Sequence, residues 1–168
     1  QFAKPITKDI KVFANRGASG IDGNLSTALG IASLSPEPTF LLIGDLALMH
    51  DFNALFVAKS MQINLKIIVL NNQGGGIFER LPISNQGQVF DKLFITPHQF
   101  TFEGIEEMFN IPLNSAKNIE DFESLLHSGL NSKGPEIIEI RTDSKIEEHE
   151  RQNIINEFKK IIRNQGAI

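Results

Sequence analysis

Among its 168 residues the sequence has no cysteine, no tryptophan and no tyrosine. Without cysteine a disulfide framework, a thiolate metal site and a thiol nucleophile are excluded, and the composition fits a cytoplasmic setting. Positive charge is in deficit: sixteen Lys+Arg stand against twenty Asp+Glu, a formal net charge of −4. A mildly acidic chain with no basic stripe suits neither nucleic acid nor an anionic membrane surface. No apolar run approaches the ~20 residues of a membrane span, and the four residues Phe40–Ile43 are typical. The opening ten residues mix charges with a proline, unlike the apolar region of a signal peptide. There is no G-x-x-x-x-G-K-[ST] loop, no H-E-x-x-H and no G-x-S-x-G elbow. The length is that of one domain. Because the chain opens on Gln1 rather than Met, we expect residues 1–168 to be one domain of a longer protein.

What is present alternates between short apolar runs and helical periodicity. Lys11–Ala14 reads as a first strand, stopping at a glycine-rich loop, Asn15–Gly23. Leu25, Ala28, Leu29 and Ala32 then recur at helical spacing, with Asp22 as N-cap and Ser35, Pro36 and Pro38 past the end. Thr39–Ile43 is continuously apolar, the pattern of a strand buried on both faces. A helix is expected over Asp51–Met61, with Phe52, Leu55, Phe56 and Lys59 on one face. Leu65–Leu70 is a further strand, ending at Asn71–Asn72 and the glycines 74–76. Ile77–Gln99 has little periodicity and reads as a long irregular loop, of the kind that is functional or mobile. Thr101 caps a helix over Phe102–Asn110, Leu113–Ala116 is a short strand, and Asn118 with Asp121 opens a helix reaching about Ser128. Glu136–Ile140 is the last strand, and Ser144 with Glu147 caps a final helix ending near Asn164, before Gly166. This alternation predicts an α/β fold, a mostly parallel sheet with helices on both faces.

Ligands of open parallel sheets bind outside the carboxyl ends of the strands. Three expected strand ends carry unusual chemistry: Asn15–Gly23, Gly44–Leu46 and Asn71–Gly76. Asp45 and Asn72 are hard oxygen ligands suited to Mg²⁺ or Ca²⁺, and the following glycines let the backbone turn inward and offer a carbonyl. Either residue alone also fits ordinary Asx chemistry, Asp45 capping a helix and Asn71–Asn72 turning the chain. Set 27 positions apart (72 − 45) with a helix between, the two together favour a diphosphate-bound metal. Glycines 17, 20 and 23 spell G-x-x-G-x-x-G, not the dinucleotide G-x-G-x-x-G, and suit close approach to a ligand. Arg16 offers a fork for a substrate carboxylate or, equally, a surface ion pair. Asp51 reads as an N-cap and His50 as structural or a base, while His98, His127 and His149 lack metal-ligand spacing. Most of the thirteen phenylalanines read as core, but Phe78, after three glycines, is placed to line a pocket.

The stretches NRGASGIDG (15–23), GDLALMHDFN (44–53) and NNQGGGIF (71–78) together resemble the thiamine diphosphate enzymes, whose cofactor motif runs from Gly-Asp to a later Asn-Asn. With Leu93–Pro97 (LFITP), they look like the menaquinone-pathway synthases of that family. The resemblance implies the thiamine diphosphate-binding fold, with residues 1–168 as the C-terminal, diphosphate-binding domain of a multidomain carboligase, a transferase that is a homodimer or homotetramer. It implies that Asp45, Asn72 and the Gly74 carbonyl hold Mg²⁺, with Mn²⁺ as the alternative ion. It also implies that Ser19, Gly20, Ile21, Gly44, Leu46, Ala47 and Gly75 line the cofactor, Ile21 as an apolar wedge beneath it, and that Arg16, Ile77 and Phe78 face the substrates. Ala47 stands where the family often has serine. The implied reaction decarboxylates 2-oxoglutarate and adds the resulting carbanion to isochorismate. Its activating glutamate lies in another domain of the same enzyme, so no catalytic residue is assigned here and the chain alone is expected to be inactive. The residues by themselves reach a metal–diphosphate site, and only the resemblance reaches substrates. Three readings stand beside it: another thiamine diphosphate-dependent decarboxylase or carboligase, an NAD-type dehydrogenase domain in which Asp45 contacts a ribose without metal, and a non-catalytic domain with a decayed site.

Overall fold

Backbone polar groups removed from water must pair, and the apolar runs of this chain pair with one another in a single sheet. The computed structural model describes residues 10–15 and 20–164. Within them the strands are β1 (Thr39–Gly44), β2 (Leu65–Asn71), β3 (Leu113–Ala116) and β4 (Glu136–Arg141). The helices are α1 (Asn24–Ala32), α2 (Asp45–His50), α3 (Leu55–Ser60), α4 (Glu103–Phe109), α5 (Ile119–Asn131) and α6 (Ser144–Asn164). All strand pairs are parallel, in the order β1-β2-β4-β3. Helices lie on both faces, so the α/β fold expected from the alternation is the one that forms.

Successive side chains of a strand point to opposite faces. One face carries Ile43, Leu65, Ile67, Val69 and Ile137, which join Leu25, Leu29, Leu48, Leu55 and Ile105 from α1–α4 in the main core. The opposite face carries Ile68 and Ile138, both buried, and Lys66, whose stem lies against Gly129 of α5. Lys66 is fully buried; its ammonium donates to the Gly134 carbonyl at 2.7 Å and lies 3.7 Å from Glu136. Burial pushes this ammonium below the usual lysine range, partly offset by the charge of Glu136.

Several expectations are corrected. Residues 11–14 form no strand: Ile10, Val12 and Phe13 are all exposed, so the run has no face to bury, and the sheet has four described strands rather than five. β1 is not buried on both faces; it is an edge strand whose Leu42 is 66% exposed and Phe40 36% exposed, while Ile43 is in the core. The stretch 51–61 is a 3₁₀ turn followed by α3, and Ala54, Leu55 and Ala58 are buried while Phe52 and Phe56 face out. The long loop is a chain of short turns: 3₁₀ at Gly76–Arg80 and Pro82–Gln86, one α-turn at Gln88–Phe90 and a π turn at Asp91–Ile95. Its one fully buried residue is Phe90, 4% exposed.

The helix starts differ in instructive ways. Asn118 does cap α5, accepting the Asp121 N–H at 2.7 Å, and that helix runs on to Asn131. Asp22 does not cap α1. The N-cap is Gly23 at φ 68°, a left-handed conformation that a glycine adopts without strain. The side-chain oxygen for that terminus comes from Asp51, which accepts the Ser26 N–H at 2.7 Å and the Ser26 hydroxyl at 2.9 Å. Asp51 is therefore the cap of α1 from 25 positions away, not of a helix it begins. Thr101 gives way to Phe102 at the start of α4, because burying Phe102 fixes that position. At α6 the N–H groups of Lys145 and Ile146 are taken by Asp143, while Ser144 donates instead to Glu79 at 2.9 Å.

Candidate functional site

Parallel pairing of β1 with β2 sets Gly44 opposite Leu70, which brings the first residue of α2 beside the turn that leaves β2. That residue, Asp45, is 3% exposed. Its Oδ1 accepts the Leu46 N–H at 2.7 Å, and its Oδ2 accepts the Gly74 N–H at 3.1 Å and contacts His98 Nε2 at 3.1 Å. A carboxylate offers about four acceptor sites, so these three partners leave room on Oδ1.

The turn is pinned from behind. Asn71, fully buried, donates from Nδ2 to Glu139 Oε1 at 2.7 Å and accepts the Gln73 N–H on Oδ1 at 3.1 Å. Glu139, also fully buried, accepts the Ser115 hydroxyl at 3.2 Å and Arg141 Nε at 3.3 Å on its other oxygen. Asn72, next in the chain, is half-buried and makes no side-chain hydrogen bond among the described residues. The glycines after it prove to be shaped by packing. A Cβ on Gly74 would lie 2.6 Å from the Ile95 carbonyl oxygen, and one on Gly75 2.6 Å from that of Phe94. The Gly75 N–H is committed to Ile95 at 2.7 Å. A Cβ on Gly76 would lie 2.8 Å from Asn72 Nδ2, so this glycine clears room for the Asn72 amide.

The remaining expected site residues lie around this point. Gly44 is exposed, extended, and faces open space that a Cβ would enter without touching protein. Leu46 lines an open cleft of about 660 Å³ with Met49, Gln88, Lys92, Thr96 and His98, whereas Ala47 packs on the core. Ile77 is exposed, and Phe78 stands edge-on to Phe94, which stacks on Phe90, with ring centroids 5.9 Å apart in both pairs. Their turn is tied to α6 through the bond from Ser144 to Glu79 and the Arg80–Glu148 pair. Gly20 and Ile21 are exposed ahead of α1. Arg16 and Ser19 lie outside the described residues. His50 is exposed at the end of α2.

Sequence reasoning missed His98 and Glu139. His98 sits 53 positions from the carboxylate it touches, a separation no motif spacing connects. Glu139 had a signal, a carboxylate inside an otherwise apolar strand, where a buried charge demands partners.

Comparison with known proteins places this geometry. Residues 3–140 match the family model for the thiamine pyrophosphate enzyme C-terminal TPP binding domain. The chain belongs to this family. Thiamine pyrophosphate is the diphosphate named above. The domain is 39% identical over 156 residues to 2-succinyl-5-enolpyruvyl-6-hydroxy-3-cyclohexene-1-carboxylate synthase of Roseiflexus castenholzii, covering 92% of this chain and 27% of that protein. It is 44% identical over 138 residues to the synthase of the same name from Listeria monocytogenes serotype 4b, covering 82% and 24%. Among solved structures it is similar to the thiamine diphosphate-dependent 4-hydroxybenzoylformate decarboxylase of Rhodococcus jostii RHA1, at 29% identity and TM-score 0.62, over 71% of this chain and 23% of that one. The chain thus spans about a quarter of the length of the curated relatives it matches.

The donor set of this TPP-binding domain suits a hard divalent cation: a buried carboxylate with acceptor capacity left, and an amide in the adjoining turn with no side-chain partner among the described residues. No group of three or more His, Cys, Asp or Glu able to hold a metal occurs among the described residues, so an ion at Asp45 would complete its shell with amide and carbonyl oxygens or with oxygens of a bound ligand. The NAD reading loses its footing, because no described strand precedes the 15–23 loop and Asp45 is turned inward onto Gly74 and His98. No helix among the described residues is long and apolar enough to cross a membrane.

Proposed function

We propose that this domain binds the diphosphate of thiamine diphosphate through Mg²⁺, with Asp45, Asn72 and the Gly74 carbonyl as the protein ligands. We further propose that the complete protein joins decarboxylated 2-oxoglutarate to isochorismate as a synthase of the menaquinone pathway. The observation that carries the reading is the buried Asp45 carboxylate, held by the backbone of the very turn that presents Asn72. Family membership supports the cofactor, and 39–44% identity to the two synthases supports the carboligase over a simple decarboxylase.

Thiamine diphosphate, when bound, supplies the electron sink that stabilises a carbanion. The work of this chain is position and electrostatics. Asp45 and Asn72 fix a cation that neutralises the diphosphate, and the open space at Gly44 lets the cofactor approach the backbone. Ile21, Ile77 and Phe78 provide exposed apolar surface for cofactor and substrate. Arg16 is proposed for a substrate carboxylate, and the other domains and a second subunit complete the enclosure.

The test is calorimetric titration of the complete protein with thiamine diphosphate, with and without Mg²⁺, followed by product analysis with 2-oxoglutarate and isochorismate. Mg²⁺-dependent binding and a joined product support the reading. Binding that ignores divalent cations overturns the metal site. Carbon dioxide release without joining would make the protein a decarboxylase, like the Rhodococcus neighbour.

A further inference from the structure

We infer that His98 is a positioning residue that holds the Asp45 carboxylate in its metal-binding orientation, an inference that rests on the metal reading above. His98 Nδ1 accepts the Phe100 N–H at 3.2 Å. With that nitrogen engaged as an acceptor, the ring proton is assigned to Nε2, which therefore donates to Asp45 Oδ2 at 3.1 Å. The pair is dry: the His98 side chain is 6% exposed and that of Asp45 4%. The backbone of His98 is also fixed, its N–H donating to the Gln73 carbonyl at 3.2 Å.

These contacts close a loop. Gln73 and Gly74 belong to the turn after Asn72, and both the Gly74 N–H and the imidazole end on Oδ2. His98 thus holds together the two halves of the proposed ligand set, the carboxylate after β1 and the turn after β2. The imidazole does not exclude a cation, since among the described residues Oδ1 has only the Leu46 N–H as partner. Segment 96–100 is aimed for this contact. Thr96 ends the π turn at φ 45°, a left-handed conformation rare for a β-branched residue, and so reverses the chain toward Asp45. The Phe100 ring, its centroid 5.3 Å from that of His98, lies beside the imidazole. Hydrogen-bonded partners behind ligating carboxylates orient the ligand, and losing one typically costs about 10–100-fold in metal affinity.

The experiment uses the complete protein and three variants, His98→Ala, His98→Gln and His98→Asn, with Mg²⁺ titrated calorimetrically at saturating thiamine diphosphate. Glutamine places an N–H donor near the position of Nε2, and asparagine places it near Nδ1. Mg²⁺ affinity should fall about 10–100-fold in the Ala and Asn variants and stay close to wild type in the Gln variant. Saturating Mg²⁺ should restore turnover in all of them. If the three variants bind Mg²⁺ as wild type does, or if Gln falls as far as Asn, the inference is overturned. Should the Ala variant fail to fold, the comparison of Gln with Asn decides alone. Asp45→Ala runs in parallel. If it retains wild-type Mg²⁺ binding, the metal reading itself fails and takes this inference with it. If it loses binding while His98→Ala does not, only the role of His98 is lost.

Discussion

At the scale of single residues, Asp45 and Asn72 share a proposed function but not a structural burden. Asp45 satisfies the Leu46 and Gly74 N–H groups and the imidazole of His98, all in a buried setting. Asp45→Ala should therefore abolish Mg²⁺-dependent cofactor binding and also lower stability by about 1–3 kcal/mol, through donors left without partners. Asn72 holds nothing else in place among the described residues. Asn72→Ala should abolish the same binding while changing stability by less than about 0.5 kcal/mol. The double variant should bind no worse than either single one, because both residues serve one ion. Calorimetry and urea denaturation on the three variants check both halves. Equal stability losses for Asp45→Ala and Asn72→Ala would contradict this division of labour.

At the scale of elements, two helices are held from a distance. The N-terminus of α1 relies on Asp51, so Asp51→Ala should destabilise the domain by about 1–2 kcal/mol, read from the denaturation midpoint. Asp22→Ala, at the position that sequence rules favour, should cost far less. Helix α6 bears on the turn that presents Ile77 and Phe78, through Glu148 and Ser144. Hydrogen bonds from Arg151 and Gln152 hold the Glu148 carboxyl down to about 2. A carboxyl lowered on folding stabilises fully above its ordinary pKa of 4.5 and loses that contribution as pH falls toward 2. Because Arg151 and Gln152 belong to the same helix, α6 itself should lose support across that window, and the smaller attraction of Arg80 for Glu148 should fade with it. Acid should lower the denaturation midpoint more in the wild type than in Glu148→Gln, by a small amount, since the pair is partly solvated. A steeper acid loss in the Gln variant would reverse the sign and refute the argument.

At the scale of the molecule, the site is a surface rather than an enclosure. The cleft beside Asp45 is open, Ile21, Ile77 and Phe78 are exposed, and the chain spans about a quarter of its curated relatives. Water exclusion and orientation of two substrates account for many orders of magnitude in rate. Under the proposed reaction, residues 1–168 alone, given 2-oxoglutarate, isochorismate, thiamine diphosphate and Mg²⁺, should therefore give no measurable product under conditions in which the complete protein is expected to turn over. Product formation by the isolated chain at a comparable rate would show that the other domains are dispensable.

The fold class was legible in the order of the amino acids, because alternating apolar runs and helical periodicity leave a parallel sheet covered by helices as the way to bury both. So were β2, β3, β4 and the Asn118 cap, whose signals are local and lie within a few residues. The pairing of Asp45 with Asn72 could be read there too, since a strand end on each side of a helix brings both to one edge. Which side chains serve them follows from long-range packing alone. Asp51 caps α1, Glu139 pins Asn71, and His98 meets Asp45 across 25, 68 and 53 positions. Contacts at such separations follow no period, and a polar side chain can satisfy its hydrogen bonds in many places along a chain. The same physics explains why β1 misled: a continuous apolar run reads alike in a central strand and at an edge. Helices cover the faces of a strand, and at this end of the order β1-β2-β4-β3 the described residues cover the face of Ile43 but leave Leu42 on the other face open.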